Sequence, residues 1–131
     1  MKRKFLAAIL TALAAYQMVC VIAFARPDIT RRNAPRLGRY TCVRVNDSSP
    51  LPDLKLLSTD KYENMEKTGI YVYEAGSGKI EWLSGSIPKQ HVGFYVPKGA
   101  DNAKYDTIII RNKKDVEEGI ERDLWRCSLA E

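Results

Sequence analysis

The sequence predicts a small all-β domain, an antiparallel barrel or sandwich of about seven or eight strands. Short apolar runs in two-residue alternation recur between clusters of turn-forming residues, as in all-β folds. One cysteine lies near each end of this region, so a bridge would join the first strand to the last and favour closure. The sequence lacks the pattern of a long amphipathic helix. It also shows no internal repeat and no second domain.

The clearest element is a hairpin over residues 69–85, with the sequence GIYVYEAGSGKIEWLSG. Ile70 and Val72 alternate with Tyr71 and Tyr73, so both faces of the first strand carry residues that favour β-structure. The central Gly-Ser-Gly tolerates the positive φ angles of short hairpin turns. A helix here would contain four glycines, each costing about 1 kcal/mol. The pattern does not decide which face points inward.

The remaining strands follow the same pattern of alternation between turns. They are predicted at residues 38–45, 54–58, 61–65, 91–97, 105–111 and 124–128. Proline, asparagine, aspartate and serine predict a loop at residues 46–52. Residues 112–123 are highly charged and are predicted to form a long loop or one irregular helical turn.

An N-terminal export signal is predicted for residues 1–25, as a signal helix before the β-domain. Lys2, Arg3 and Lys4 precede a long apolar run that ends with the small-x-small pattern Ala23-Phe24-Ala25. The alternative is an uncleaved membrane anchor, because about 20 apolar residues can also span a bilayer. Either way the rest of the chain is expected outside the cytoplasm, secreted or periplasmic. Residues 26–37 are predicted to form a basic flexible linker, and residues 38–131 a single β-domain.

Cys42 and Cys127 are the two cysteines that remain after the signal, and an even number in a small exported domain predicts a disulfide. Cys42 shares a strand face with Tyr40, and Cys127 shares one with Trp125. Neither cysteine has a histidine close to it in the sequence, so a structural bridge is favoured over a catalytic thiol.

The charge of the chain is concentrated outside the β-domain. The sequence pI is about 9.2, but residues 38–131 hold 14 basic and 15 acidic side chains. A nearly neutral domain does not present the basic surface that a nucleic-acid partner requires. We therefore expect no nucleic-acid partner, and membrane contact only through residues 1–25 if they are not cleaved.

No group of residues in the sequence indicates catalysis, a metal or a cofactor. His91 is the single histidine and has no second ligand at zinc-site spacing. Ser84 and Ser86 have no base that the sequence places beside them. The acidic residues between positions 117 and 123 lack the spacing of a calcium loop. The Gly-Ser-Gly-Lys at residues 76–79 joins two strands, whereas a phosphate loop joins a strand to a helix. We expect a protein that is not an enzyme and needs no cofactor.

Aromatic side chains allow three interpretations. We expect most of them to fill the core. Tyr71, Tyr73, Trp82 and Tyr95 are the candidate contact surface for a protein or sugar if they face outward. Alternatively, inward-facing rings line a barrel pocket for a small ligand.

Four short motifs in order carry a resemblance. They are Y-x-C at Tyr40 and Cys42, G-x-Y-x-Y from Gly69 to Tyr73, G-x-I-x-W-L-S-G from Gly78 to Gly85, and W-x-C at Trp125 and Cys127. The chain thereby resembles small exported bacterial β-domains of unassigned function. It is less closely similar to the exported inhibitors of c-type lysozyme, which are also small barrels with a Y-x-C opening and a late cysteine. The resemblance implies a compact disulfide-closed domain and assigns no catalytic residue.

These observations predict a monomeric, non-catalytic exported binding module that acts on a protein or a component of the cell envelope. One alternative is an inhibitor of a secreted hydrolase, of the lysozyme or protease type, that uses a loop such as residues 84–90. A second alternative is a barrel that binds a small ligand.

Overall fold

Eight antiparallel strands form a closed barrel in the computed structural model, which describes residues 34–130. The strands are β1 (Gly38–Arg44), β2 (Pro50–Leu56), β3 (Lys61–Asn64), β4 (Lys67–Glu74), β5 (Lys79–Trp82), β6 (His91–Val96), β7 (Thr107–Asn112) and β8 (Asp123–Leu129). A short helix α1 (Lys113–Glu117) follows β7, and a single 3-10 turn (Ala100–Asn102) lies between β6 and β7. The export signal and residues 26–33 of the expected linker lie outside the described residues.

Each strand pairs with the next in the sequence, and β1 also pairs with β8. The predicted all-β class is confirmed, and of the two predicted architectures the molecule has the barrel. The strands run alternately up and down, so the loops fall into two sets. We call the end formed by residues 45–49, 65–66, 83–90 and 113–122 the upper rim, and the opposite end the base.

Closure of the barrel depends on the pairing of β1 with β8. Cys42 lies directly opposite Cys127 in this ladder, with their Cα atoms 4.0 Å apart, and the two form a buried disulfide. Tyr40 lies opposite Leu129 on the same inward face. The predicted bridge between first and last strands is therefore confirmed.

Alternation along the strands sends one set of side chains into the barrel. The buried apolar side chains are Tyr40, Cys42, Leu54, Leu56, Tyr62, Tyr71, Ile80, Trp82, Ile87, Val92, Ile108, Ile110, Cys127 and Leu129. Three of their rings contact one another in tilted or edge-to-face geometry, with centroids 5.0 Å apart for Tyr62–Trp82 and 6.2 Å apart for Tyr71–Trp82. Such contacts add to the free energy gained from burying the rings. Tyr71 and Trp82 of the hairpin are therefore part of the core.

The orientation of the hairpin determines which of the candidate contact residues are exposed. Tyr71 and Trp82 are 1% and 2% exposed, so their rings lie inside the barrel. Tyr73 and Tyr95 are partly buried, and their rings meet edge to face with centroids 6.2 Å apart near the base. Because successive side chains alternate, burying the tyrosine face turns Ile70 and Val72 outward.

Strand β2 begins earlier than predicted, since residues 50–52 were expected to lie in a loop. Tyr40 pairs with Leu54 but Cys42 pairs with Leu51, so β2 contains one extra residue at this point. Such a bulge interrupts the ladder, and bulges are among the few places where a sheet accommodates proline. Pro52 lies at this bulge and Pro50 is the first residue of the strand, and both are positions at which a sheet accepts proline.

The base is sealed by polar contacts around the buried carboxylate of Asp106. It accepts hydrogen bonds from the Tyr95 hydroxyl (3.1 Å) and the Lys98 amide (2.7 Å). It also pairs with the Arg36 guanidinium at 3.6 Å, while the Tyr40 hydroxyl donates to the Arg36 carbonyl at 2.6 Å. Burial and Asp106 together raise the pKa of Tyr95 to about 12. These contacts tie the last residues of the expected linker to the barrel.

Candidate binding site at the upper rim

The loop of residues 83–90, which connects β5 to β6, is held from inside the barrel by Tyr62. The Tyr62 hydroxyl donates a hydrogen bond to the Ser84 carbonyl at 2.7 Å and accepts one from the Ile87 amide at 3.2 Å. The Ile87 side chain is buried in the core beside it. One core residue therefore fixes both the start and the middle of the loop.

Two serine side chains complete the anchoring. The Ser84 hydroxyl accepts a hydrogen bond from the Ile70 amide at 3.0 Å. The Ser86 hydroxyl donates a hydrogen bond to the side-chain oxygen of Asn64. Asn64 is buried, and its side-chain nitrogen donates a hydrogen bond to the Asp53 carbonyl at 3.0 Å. Both hydroxyl groups are thus used in positioning the loop.

Gly69 and Gly85 make room for the Tyr62 ring. A Cβ atom on Gly69 would collide with the Ser84 carbonyl oxygen and with the ring itself. Gly85 has φ +100°, and a Cβ there would lie 2.5 Å from the Tyr62 hydroxyl and 2.8 Å from the Gly69 Cα. The two glycines that bound the hairpin sequence therefore permit the contact that anchors the loop.

Anchoring this loop leaves apolar side chains exposed on the outside of the barrel. Leu83 is 44% exposed and Ile70 is 46% exposed, and the Leu83 amide donates to the Ile70 carbonyl at 2.8 Å. Val72 is 48% exposed and lies two residues further along the same face of β4. We call Ile70, Val72 and Leu83 the aliphatic patch. Single exposed apolar residues are ordinary, but three adjacent ones next to a rigid loop are typical of a contact surface.

A basic cleft lies on the other side of the loop. The Lys113 amide donates to the Gln90 carbonyl at 2.6 Å, which brings the start of α1 against the end of the loop. The cleft is lined by Lys89, Gln90, Asn112, Lys113, Lys114 and Glu117. Three lysines and one glutamate give it a positive charge, although the β-domain as a whole is nearly neutral.

A smaller pocket of about 110 Å³ adjoins the cleft. It is lined by Glu81, Trp82, Leu83, Lys89, His91, Val92 and Lys113. Within the described part of the chain, Trp82 Nε1 and His91 Nδ1 are the buried side-chain nitrogen or oxygen atoms without a hydrogen-bond partner. Burial lowers the pKa of His91, whose ring centroid lies 5.6 Å from that of Trp125. The imidazole is therefore neutral at pH 7.

The titratable side chains near the rim can be compared with the needs of a metal site. In residues 34–130, no three or more histidine, cysteine, aspartate and glutamate side chains come together as metal ligands. Within the acidic segment near α1, Asp123 pairs with Arg111 at 2.7 Å and Asp115 pairs with Arg122 at 3.9 Å. Over the same described range, no helix has the length and apolar character needed to cross a membrane.

Fold and rim together define a disulfide-closed, up-and-down β-barrel with a filled interior and an externally exposed, anchored loop. No protein-family model matches the chain, and no solved structure matches it.

The predicted contact residues do not come together in this site. Trp82 lines the small pocket from inside the core, Tyr71 is interior, and Tyr73 and Tyr95 lie toward the base. No sequence motif marked Tyr62, Asn64 or Lys113 as part of a site. The W-L-S-G sequence was the available signal, because a glycine and a serine directly after a strand mark a turn with a specific backbone requirement.

Proposed function

We propose that the protein is a non-catalytic, exported binding module, and that its upper rim binds a protein partner. The observation that carries this proposal is the loop of residues 83–90, held in shape by Tyr62 and flanked by the aliphatic patch. A loop ordered before binding loses little conformational entropy on association, which increases the affinity.

The composition of the rim supports a protein as the partner. The aliphatic patch offers the apolar centre that protein interfaces use, and the basic cleft offers charged groups at its edge. An acidic partner with an exposed apolar side chain fits both features. Charge complementarity of this kind accelerates encounter and selects among partners.

The extracytoplasmic location belongs to the same proposal. A buried disulfide between Cys42 and Cys127 is compatible with an oxidising compartment, where such bonds form and persist. The predicted export signal at residues 1–25 provides the route. Purified exported protein with the mass of residues 26–131 less two hydrogens would establish both cleavage and the bridge.

The test is capture of a partner from the extracytoplasmic fraction of the native host, compared between matched variants. Leu83→Asp places a charge in the aliphatic patch, and Leu37→Asp makes the same change at a residue of similar exposure before β1, toward the base. We expect wild type and Leu37→Asp to retain the same protein and Leu83→Asp to lose it. Equal capture by Leu83→Asp would contradict the proposal.

Inhibition of a secreted hydrolase is the second candidate function. It is favoured by the same anchoring, because residues 84–90 are held from within while Pro88, Lys89 and Gln90 are exposed. A panel of c-type lysozymes and secreted proteases tests it directly. Inhibition that Lys89→Ala abolishes and Lys104→Ala leaves intact would make this the function of the loop.

Binding of a small ligand inside the barrel has no such support. The interior positions that would line a pocket carry Tyr62, Tyr71 and Trp82, whose rings contact one another.

A further inference from the structure

We propose that the small pocket beside the basic cleft is a carboxylate-binding subsite, which receives one acidic side chain of the protein partner. This inference rests on the proposed function and adds the chemistry by which the partner is recognised. The residues that carry it are Trp82, Lys89, His91 and Lys113.

Unpaired buried nitrogens are the first line of support. Trp82 Nε1 is an obligatory hydrogen-bond donor on a side chain that is almost completely buried, and no protein acceptor reaches it. A buried donor left unpaired costs about 1–3 kcal/mol, and folded proteins contain few of them. His91 Nδ1 is unpaired as well, and its residue lines the same pocket. A carboxylate has two oxygen atoms that accept hydrogen bonds from such groups.

Charge is the second line of support. Lys89 and Lys113 line the pocket with two positive charges, and Glu81 contributes one negative charge. Because His91 is neutral at pH 7, the lining carries a net charge of about one positive unit. A carboxylate neutralises this charge, whereas a doubly charged phosphate would leave an excess negative charge in a partly enclosed space. Glu81 forms its ion pair with Lys79, at 3.2 Å, and not with Lys89 or Lys113.

Size and location complete the argument. A pocket of about 110 Å³ accommodates a group of a few heavy atoms, such as a carboxylate with its methylene, but not a sugar ring or a base. Leu83 belongs both to the pocket lining and to the aliphatic patch. One partner segment can therefore place an acidic side chain in the pocket and an apolar side chain on the patch.

Nuclear magnetic resonance of the exported protein labelled with ¹⁵N tests the subsite with sodium acetate as the probe. The chain has two tryptophans and hence two indole N–H signals, which Trp125→Phe assigns. We expect acetate, but not chloride at equal ionic strength, to shift the Trp82 indole signal in a saturable way. Lys89→Ala and Lys113→Ala should each weaken acetate binding about threefold to tenfold. Lys104→Ala removes the same charge from the loop between β6 and β7 at the base and should change nothing. A Trp82 signal that ignores acetate, or responds equally in Lys113→Ala, overturns the subsite.

A second titration, with peptides, tests whether the carboxylate that the pocket binds can come from a protein. An amidated tetraglutamate peptide should produce the same Trp82 shift, and the matching tetraglutamine peptide should not. A response to free acetate with none to the glutamate peptide overturns the assignment to an acidic side chain. If acetate produces no response but the protein still captures a partner that Leu83→Asp loses, the subsite alone is overturned. If acetate binds but capture does not depend on Leu83, the proposed rim function is overturned and a carboxylate pocket remains.

Discussion

Replacing Tyr62 by phenylalanine is expected to loosen the loop of residues 83–90 without disturbing the barrel core. The change removes one oxygen atom and keeps the ring that packs against Trp82. Two backbone groups then lose a partner, the Ser84 carbonyl and the Ile87 amide. The hydrogen bond from Tyr62 to the Ser84 carbonyl is only partly buried, so water can replace it. The Ile87 amide bond is buried, so its loss carries most of the cost, about 1–3 kcal/mol.

A loss of about 2 kcal/mol lowers Tm by roughly 8–16 °C in a domain of about 100 residues. Urea unfolding followed by tryptophan fluorescence measures the change in the free energy of unfolding, and amide hydrogen exchange at Ile87 localises it. Tyr105→Phe is the matched control, because Tyr105 is 47% exposed. A Tyr62→Phe variant that loses less than about 0.5 kcal/mol and keeps the Ile87 exchange rate of wild type would refute the anchoring argument.

Three further predictions concern the same scaffold. Replacing Cys42 and Cys127 together by alanine opens a loop of 85 residues and should cost about 4–5 kcal/mol in urea unfolding, because the bridge restricts the unfolded chain; an unchanged free energy of unfolding would contradict this. Gly69→Ala should cost about 1–3 kcal/mol because its methyl group collides with fixed neighbours, whereas Gly76→Ala, with nothing within 4 Å, should be nearly neutral. Burial lowers the pKa of His91, so the unfolded state binds a proton more readily than the folded state. The wild type should therefore lose stability relative to His91→Gln as pH falls through 6.5, and a constant difference from pH 7.5 to 5 would contradict this.

The all-β class and the disulfide could be predicted because their signals are local, whereas the sequence left a barrel and a sandwich open. Two-residue alternation, a glycine turn and an even number of cysteines each follow from the chemistry of a short segment. Adjacency of the first and last strands was also expected, because each cysteine shares a face with an aromatic residue of its own strand; the direct opposition of Cys42 and Cys127 is seen only in the structure. The early start of β2 was missed because Pro50 and Pro52 are turn residues by composition, and only the pairing with β1 reveals the bulge at Pro52.

The orientation of the hairpin could not be predicted from the sequence, for a different reason. Ile70 and Val72 would fill a core as readily as Tyr71 and Tyr73, so alternation fixes two faces without ranking them. The barrel buries the tyrosines because Tyr62 and Trp82 offer ring contacts on that side. This choice exposes the aliphatic patch. The rim site was equally inaccessible, since Asn64 and Ser86 are 22 residues apart in the chain.

A filled barrel places strong constraints on where binding can occur, and the 83–90 loop satisfies them in a particular way. The interior is occupied by rings, so new contacts must form outside, where loop backbone groups need hydrogen-bond partners. Here Tyr62 supplies the partners of the Ser84 carbonyl and the Ile87 amide. The side chains of Ser84 and Ser86 add bonds from the loop to the Ile70 amide and to Asn64. The outward side chains, including Lys89, take no part in these anchoring bonds. Substitutions at Lys89 should therefore change what the rim binds while the loop keeps its shape, because the residues that hold the loop and the residues that meet a partner are different ones.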